Sequence, residues 1–165
     1  MKNSSTLALS IGAVMFAAGL SLAGWAEATV SGEAPKGQVT GIGGIFIKAK
    51  EPAKLGAWYR EHLGIVSGPG GKIFLWRDHD APDTEGQTVW SLFPQTTDYF
   101  GRADQQVMIN YRVDDLDALL ARLKSEGVEQ AGKTQTFDYG KFAWVIDGEG
   151  NRVELWQPID PAHKP

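Results

Sequence analysis

Phe142 to Pro158 reads FAWVIDGEGNRVELWQP, two apolar runs separated by Asp147, Gly148, Glu149, Gly150 and Asn151. Residues of those types tolerate turn geometry, so the stretch predicts a β-hairpin with Val145 opposite Val153 and Trp144 opposite Glu154. Side chains alternate in facing along a strand. Phe142, Trp144, Glu154 and Trp156 therefore share one face, and Ala143, Val145, Val153 and Leu155 share the other. The aliphatic face calls for a helix packed on it. The opposite face gathers large rings around one ionisable group, which suits a small-molecule pocket or a tight aromatic core.

Working outward, Val107 to Val113 (VMINYRV) predicts a strand that runs straight into the clearest helix of the chain, DDLDALLARLKSEGV. Asp114 is the expected N-cap, with Asp117 in the first turn. Leu116, Leu119, Leu120 and Leu123 recur at helical spacing, and Gly127 is the stop. A further strand is expected within 128–136. The first half repeats the pattern. Val39 to Lys50 predicts a strand with Ile45, Ile47 and Ala49 facing one way and Gly44, Phe46 and Lys48 the other. The helix after it has Glu51 as cap, Pro52 in its first turn, an apolar stripe of Leu55, Trp58, Tyr59 and Leu63, and Gly64 as its end. Strands are expected at Ile65 to Ser67, Lys72 to Arg77 and Thr88 to Phe93. The polar segment Asp98 to Gln106, with Tyr99 and Phe100 embedded in it, reads as a crossover between the halves.

The two halves align at a fixed shift of about 64 residues. That shift takes Ile47 to Tyr111, Leu55 to Leu119 and Val89 to Val153. It also pairs Gly44 with Met108 and Trp90 with Glu154, with one residue lost after the helix and regained before the last strand.

Residues 1–28 have a basic start at Lys2, an apolar run from Leu7 to Leu22 and the small residues of AGWAEA. This is the pattern of a signal peptide cleaved after Ala26 or Ala28, with an uncleaved membrane anchor as the rival reading. The expectation is an exported protein, periplasmic or secreted. Residues 29–38 have linker composition, 39–158 form one domain of two modules (39–97 and 105–158), and 159–165 form a tail. A formal charge of -4 and the lack of any basic run exclude a sequence-independent nucleic-acid binder. The absence of cysteine excludes disulfides, thiol catalysis and thiolate metal sites.

Three segments, GGIFIKAKEPAKLGAWYREHLGI, MINYRVDDLDALLARLKSEGV and FAWVIDGEGNRVELWQP, resemble the vicinal oxygen chelate superfamily of glyoxalase I, extradiol dioxygenases and bleomycin-resistance proteins. The resemblance covers Val39 to Pro158. It implies an α+β fold in which two βαβββ modules form a cupped, eight-stranded mixed sheet, helices on the convex side and ligand or metal in the concavity. It also implies a homodimer. Metal-using members carry ligands at four inward positions, which fall here on Gly44, Trp90, Met108 and Glu154. Only Glu154 is a suitable donor, and a slip that substitutes Ser91 for Trp90 does not restore a site. His62, late in a helix, His79, in a loop, and His163, in the tail, supply no ligands either.

No metal cofactor is therefore expected. The resemblance implies a glyoxalase-like or bleomycin-resistance-like protein that binds a small organic molecule. Phe46, Trp76, Trp90, Met108, Trp144 and Trp156 are the expected packing contacts, with Asn110, Arg112 and Glu154 as polar anchors. The alternative is a metal-dependent lyase or dioxygenase with ligands from other positions. Glu154 is the one candidate for acid–base chemistry, weighed against a carboxyl held by hydrogen bonds and against a ligand anchor. Burial among tryptophans predicts a raised pKa unless Lys48 or Arg112 pairs with it. DGEGNRVE at Asp147 to Glu154 resembles a calcium loop in its alternating acids but lacks the length and flanking helices, so a turn is expected. GIGGIF at Gly41 to Phe46 opens no helix and makes no phosphate cradle.

Overall fold

The computed structural model describes residues 37–159. The expected signal peptide, nearly all of the expected linker and all of the expected tail but Ile159 lie outside the described residues. In chain order the elements are β1 (Val39–Ala49), α1 (Pro52–Leu63), β2 (Lys72–Arg77), β3 (Glu85–Pro94), β4 (Val107–Val113), α2 (Leu116–Ser125), β5 (Gln135–Phe137), β6 (Gly140–Ile146) and β7 (Arg152–Pro158). They form one mixed sheet of seven strands in the order β2-β3-β1-β4-β7-β6-β5. β1 and β4 meet antiparallel at its centre, and the β1–β3 and β4–β7 pairs are parallel.

The sheet has seven strands where eight were expected, because Ile65 to Ser67 is not a strand. Gly68, Pro69, Gly70 and Gly71 follow it at once, and Gly68 and Gly71 exchange backbone hydrogen bonds in a tight turn that leaves Val66 exposed. A cleft of about 290 Å³, lined by Gly56, Ala57, Arg60, Pro69 and Leu92 among others, lies between α1 and β3.

The hairpin register is the one its alternation requires, with Val145 opposite Val153, Trp144 opposite Glu154 and Phe142 opposite Trp156. Its turn is held by Asp147, whose Oδ1 accepts from the amides of Glu149 and Asn151 at 2.9 and 2.8 Å. On the helix face Ala143, Val145 and Leu155 pack with Val113, Leu116 and Leu119 into one buried cluster. Burial of each larger member contributes roughly 1.5–3 kcal/mol, so α2 is fixed chiefly by this stripe. Asp115, not Asp114, caps α2, with its Oδ1 accepting from the Ala118 amide at 3.0 Å. Asp114 Oδ1 instead accepts from the amides of Gly37, Gln38 and Asp115, which ties the start of β1 to the start of α2.

α1 is less deeply seated, and none of its residues is buried. Leu55 and Tyr59 are half-buried, but Trp58 and Leu63 of the expected stripe are exposed. The helix meets the sheet through Gly56, close to Leu92, and through Tyr59 against Trp90, which turns Trp58 outward onto His62.

Candidate functional site

The face of the sheet opposite the helices carries a second core made of rings. Phe46, Phe100, Met108 and Trp144 are buried together, with Val89, Phe93, Tyr99 and Phe142 packed against them. Glu154 sits among these residues with 2% of its surface exposed. Two adjacent strands bring its partners into place. The β4–β7 register sets Asn110 beside it, and the β6–β7 register sets Trp144 opposite. Asn110 Nδ2 donates to Oε1 at 2.7 Å and Trp144 Nε1 donates to Oε2 at 2.9 Å.

The third donor comes from the crossover, which the sequence pattern left without a role. The Tyr99 hydroxyl donates to Glu154 Oε2, and its ring stacks on Phe93 and meets Trp144 edge-on. Phe100 beside it is fully buried. Two adjacent rings in a polar segment were the available signal, because a crossover with no apolar periodicity reveals its anchors only by residue type. The crossover is pinned firmly. Arg152 Nη1 donates to Tyr99 O at 3.1 Å, Gln105 bonds Arg152 through both backbone N and O, and Lys48 Nζ donates to the carbonyls of Arg102 and Ala103.

Burial pushes the Glu154 carboxyl above its ordinary pKa, while the bonds from Tyr99, Asn110 and Trp144 pull it back. Burial, and then the charge of Glu154, push the Tyr99 phenol well above its own. Neither Lys48 nor Arg112 forms an ion pair with Glu154 among the described residues. The carboxyl is thus held by three neutral donors. Asn110 is oriented by Glu154, yet its Oδ1 is buried without a partner.

Trp90 does not join this face. β3 pairs with β1 in parallel, Val89 with Gly44 and Ser91 with Phe46, so Trp90 projects to the helix side and packs on Tyr59 with centroids 4.6 Å apart. The shift between β3 and β7 is one residue shorter than between β1 and β4, which places Ser91 where Trp90 was expected. The four inward positions are then Gly44, Ser91, Met108 and Glu154. They supply one carboxyl already engaged by three donors, one hydroxyl and one thioether, a set that does not fit Zn, Ni, Fe or Mn. Among the described residues no group of three His, Cys, Asp or Glu is placed to hold a metal ion.

Trp76 and Arg112 form a separate group at the end of the sheet where β1 begins and β2, β4 and β7 end. The β1–β3 pairing starts only at Gly44 and Val89. Before it, Thr88 Oγ1 donates to Ile42 O at 2.7 Å and accepts from Trp76 Nε1 at 3.0 Å, so Trp76 closes the gap between the strands. Its ring lies on Gly86, where a Cβ would come within 2.2 Å, and 5.8 Å from the Arg112 guanidinium. Arg112 pairs in register with Trp156 on its other side. Trp156 is stacked on Phe142 with centroids 6.1 Å apart and planes at 11°, and its indole fills the space over Gly140. Tyr139 and Phe137, stacked on each other and edge-on to Phe142, continue the wall and are 57% and 42% exposed. Phe137 ends β5 and Tyr139 lies in the turn after it, and the sequence pattern there gave no sign of this role.

The sheet therefore offers a closed floor around Glu154 and an open aromatic rim around Arg112. The family described as Glyoxalase-like domain matches residues 44–156. No curated protein matches the chain. Among solved structures, a variant of the Streptomyces coelicolor methylmalonyl-CoA epimerase in complex with 2-nitronate-propionyl-CoA is 17% identical, covers 74% of this chain and 100% of its own, and has a TM-score of 0.55. A methylmalonyl-CoA epimerase in complex with methylmalonyl-CoA and NH4+ is 18% identical, covers 73% of this chain and 96% of its own, and has a TM-score of 0.53. At these identities the likeness is one of fold.

Proposed function

The chain belongs to the glyoxalase-like domain family, within the vicinal oxygen chelate superfamily, and we propose that it binds a small, partly aromatic organic molecule on the helix-free face of its sheet without the superfamily's usual catalytic metal. The observation that carries this reading is the open rim. Phe137 and Tyr139 remain exposed beside the stacked Phe142–Trp156 pair, although rings of that size are normally buried unless they serve an interface or a ligand. Further along the same face Ile73 and Leu75, next to half-buried Val89, are 49% and 73% exposed.

Phe46, Met108, Asn110, Trp144 and Glu154 serve in this reading as the floor. Trp76 and Arg112 make the ligand contacts, together with the small part of Trp156 that its 7% exposure leaves free. Glu154 acts through the order it imposes on Asn110 and Trp144, because both of its oxygens already accept hydrogen bonds and it is shut away from the surface. Export, supported by the N-terminal sequence, and a homodimer, supported by the resemblance, are parts of the same proposal.

The test is thermal unfolding of wild type and Tyr139→Ala with neutral aromatic amides such as 2-naphthamide. A ligand at about 100 times its Kd stabilises by roughly 2.7 kcal/mol. A raised Tm in wild type that is weakened in Tyr139→Ala supports the reading. No stabilisation, or stoichiometric Ni, Zn, Fe or Mn in the purified protein, contradicts it.

A further inference from the structure

Arg112 is half-buried at the rim, and its guanidinium makes no hydrogen bond or ion pair among the described residues. Its neighbours are rings, Trp76 at 5.8 Å and, in register, Trp156. The carboxylates nearest in sequence or register are committed elsewhere. Asp114 holds the amides of Gly37, Gln38 and Asp115. Glu154 is held by Tyr99, Asn110 and Trp144, and Glu85, across from the residue after Trp76, is paired with Arg77 at 2.8 Å. An arginine with five fixed donors beside one aromatic face, on a strand next to a second ring, matches a flat molecule that carries a carboxylate, which it can bind through two parallel hydrogen bonds.

Resting on the small-molecule reading above, we propose that the ligand is a planar organic anion, an aromatic carboxylate in the simplest case, whose charge pairs with Arg112 and whose ring lies against Trp76 and Trp156. The rings define shape and the guanidinium defines charge. Both tryptophans are seated on glycines, Gly86 under Trp76 and Gly140 against Trp156, which holds the aromatic walls close to the strands, and Arg112 itself is only half-buried.

The experiment compares 2-naphthoate with 2-naphthamide, which share a ring system and differ in charge, by titration calorimetry on wild type, Arg112→Gln and Arg112→Lys. Wild type is expected to bind the carboxylate about tenfold or more tightly than the amide, the worth of one charge-assisted pair. Arg112→Gln loses that preference, and Arg112→Lys retains part of it. In wild type, added salt weakens binding of the carboxylate and not of the amide, a result independent of how well the variants fold. Equal binding of the two probes by wild type, or an unchanged preference in Arg112→Gln, overturns the assignment of Arg112 and leaves the aromatic rim as a ligand site. Binding of neither probe by wild type overturns the ligand reading itself and the assignment with it.

Discussion

Tyr99→Phe isolates a single hydrogen bond in the floor of the site. The substituted ring keeps its stack on Phe93 and its edge contact with Trp144, so only the hydroxyl that donates to Glu154 is removed. The carboxyl retains Asn110 and Trp144 and remains 2% exposed, so water does not replace the lost donor. Where Glu154 is ionised, a hydrogen bond to it contributes roughly 1.5–3 kcal/mol, which sets the expected loss near 2 kcal/mol, or about 5–10 °C in Tm.

The pH dependence follows from the direction of the Glu154 shift. Its folded pKa lies above the unfolded value, so the ionised form is disfavoured by folding, and the hydroxyl offsets part of that cost. Removing the hydroxyl raises the folded pKa further. The difference between variant and wild type is then full above the folded pKa of the variant. It shrinks as pH falls and Glu154 takes up a proton, toward the ~1 kcal/mol of a neutral bond. Urea unfolding across pH, with Glu154→Gln and the double variant completing a cycle, measures it. A loss near zero at neutral pH, or one that does not diminish on acidification, refutes the three-donor account of Glu154.

Phe100→Ala removes a fully buried ring and is expected to cost about 3–5 kcal/mol in urea unfolding, unlike an ordinary loop substitution. Gly140→Ala places a Cβ 2.4 Å from Trp156 Nε1 at a φ of 151°, so it is expected to destabilise by about 1–3 kcal/mol and to alter near-UV circular dichroism through the displaced indole. Asp115→Ala removes the cap of α2 and is expected to cost about 1 kcal/mol by thermal unfolding.

The hairpin was legible because its two faces differ in chemistry at every alternate residue, and a slip by one would bury Arg152 and expose Leu155. The helix with Leu116 and Leu119 was legible for the same reason at a different period. The cap was displaced by one residue because Asp114 and Asp115 are equivalent as N-cap types, and only the position of Gly37 and Gln38 in space assigns them their separate tasks. Trp90 was misplaced because an internal shift of about 64 residues does not state where the missing residue is regained, and one position of ambiguity reverses a strand's facing. Tyr99 and Phe100 were hidden more deeply. Their role depends on long-range contacts with Glu154 and Lys48, to which local periodicity is blind.

The central claim, that a small molecule occupies the aromatic rim, is tested most directly by the indole N–H resonances of Trp58, Trp76, Trp90, Trp144 and Trp156 during titration with 2-naphthoate. The account predicts that Trp76 and Trp156 shift in a saturable, one-site manner, while Trp58 and Trp90, which lie on the helix side against Tyr59, do not move. Saturable shifts confined to Trp58 and Trp90, or no shift at Trp76 and Trp156, would contradict it.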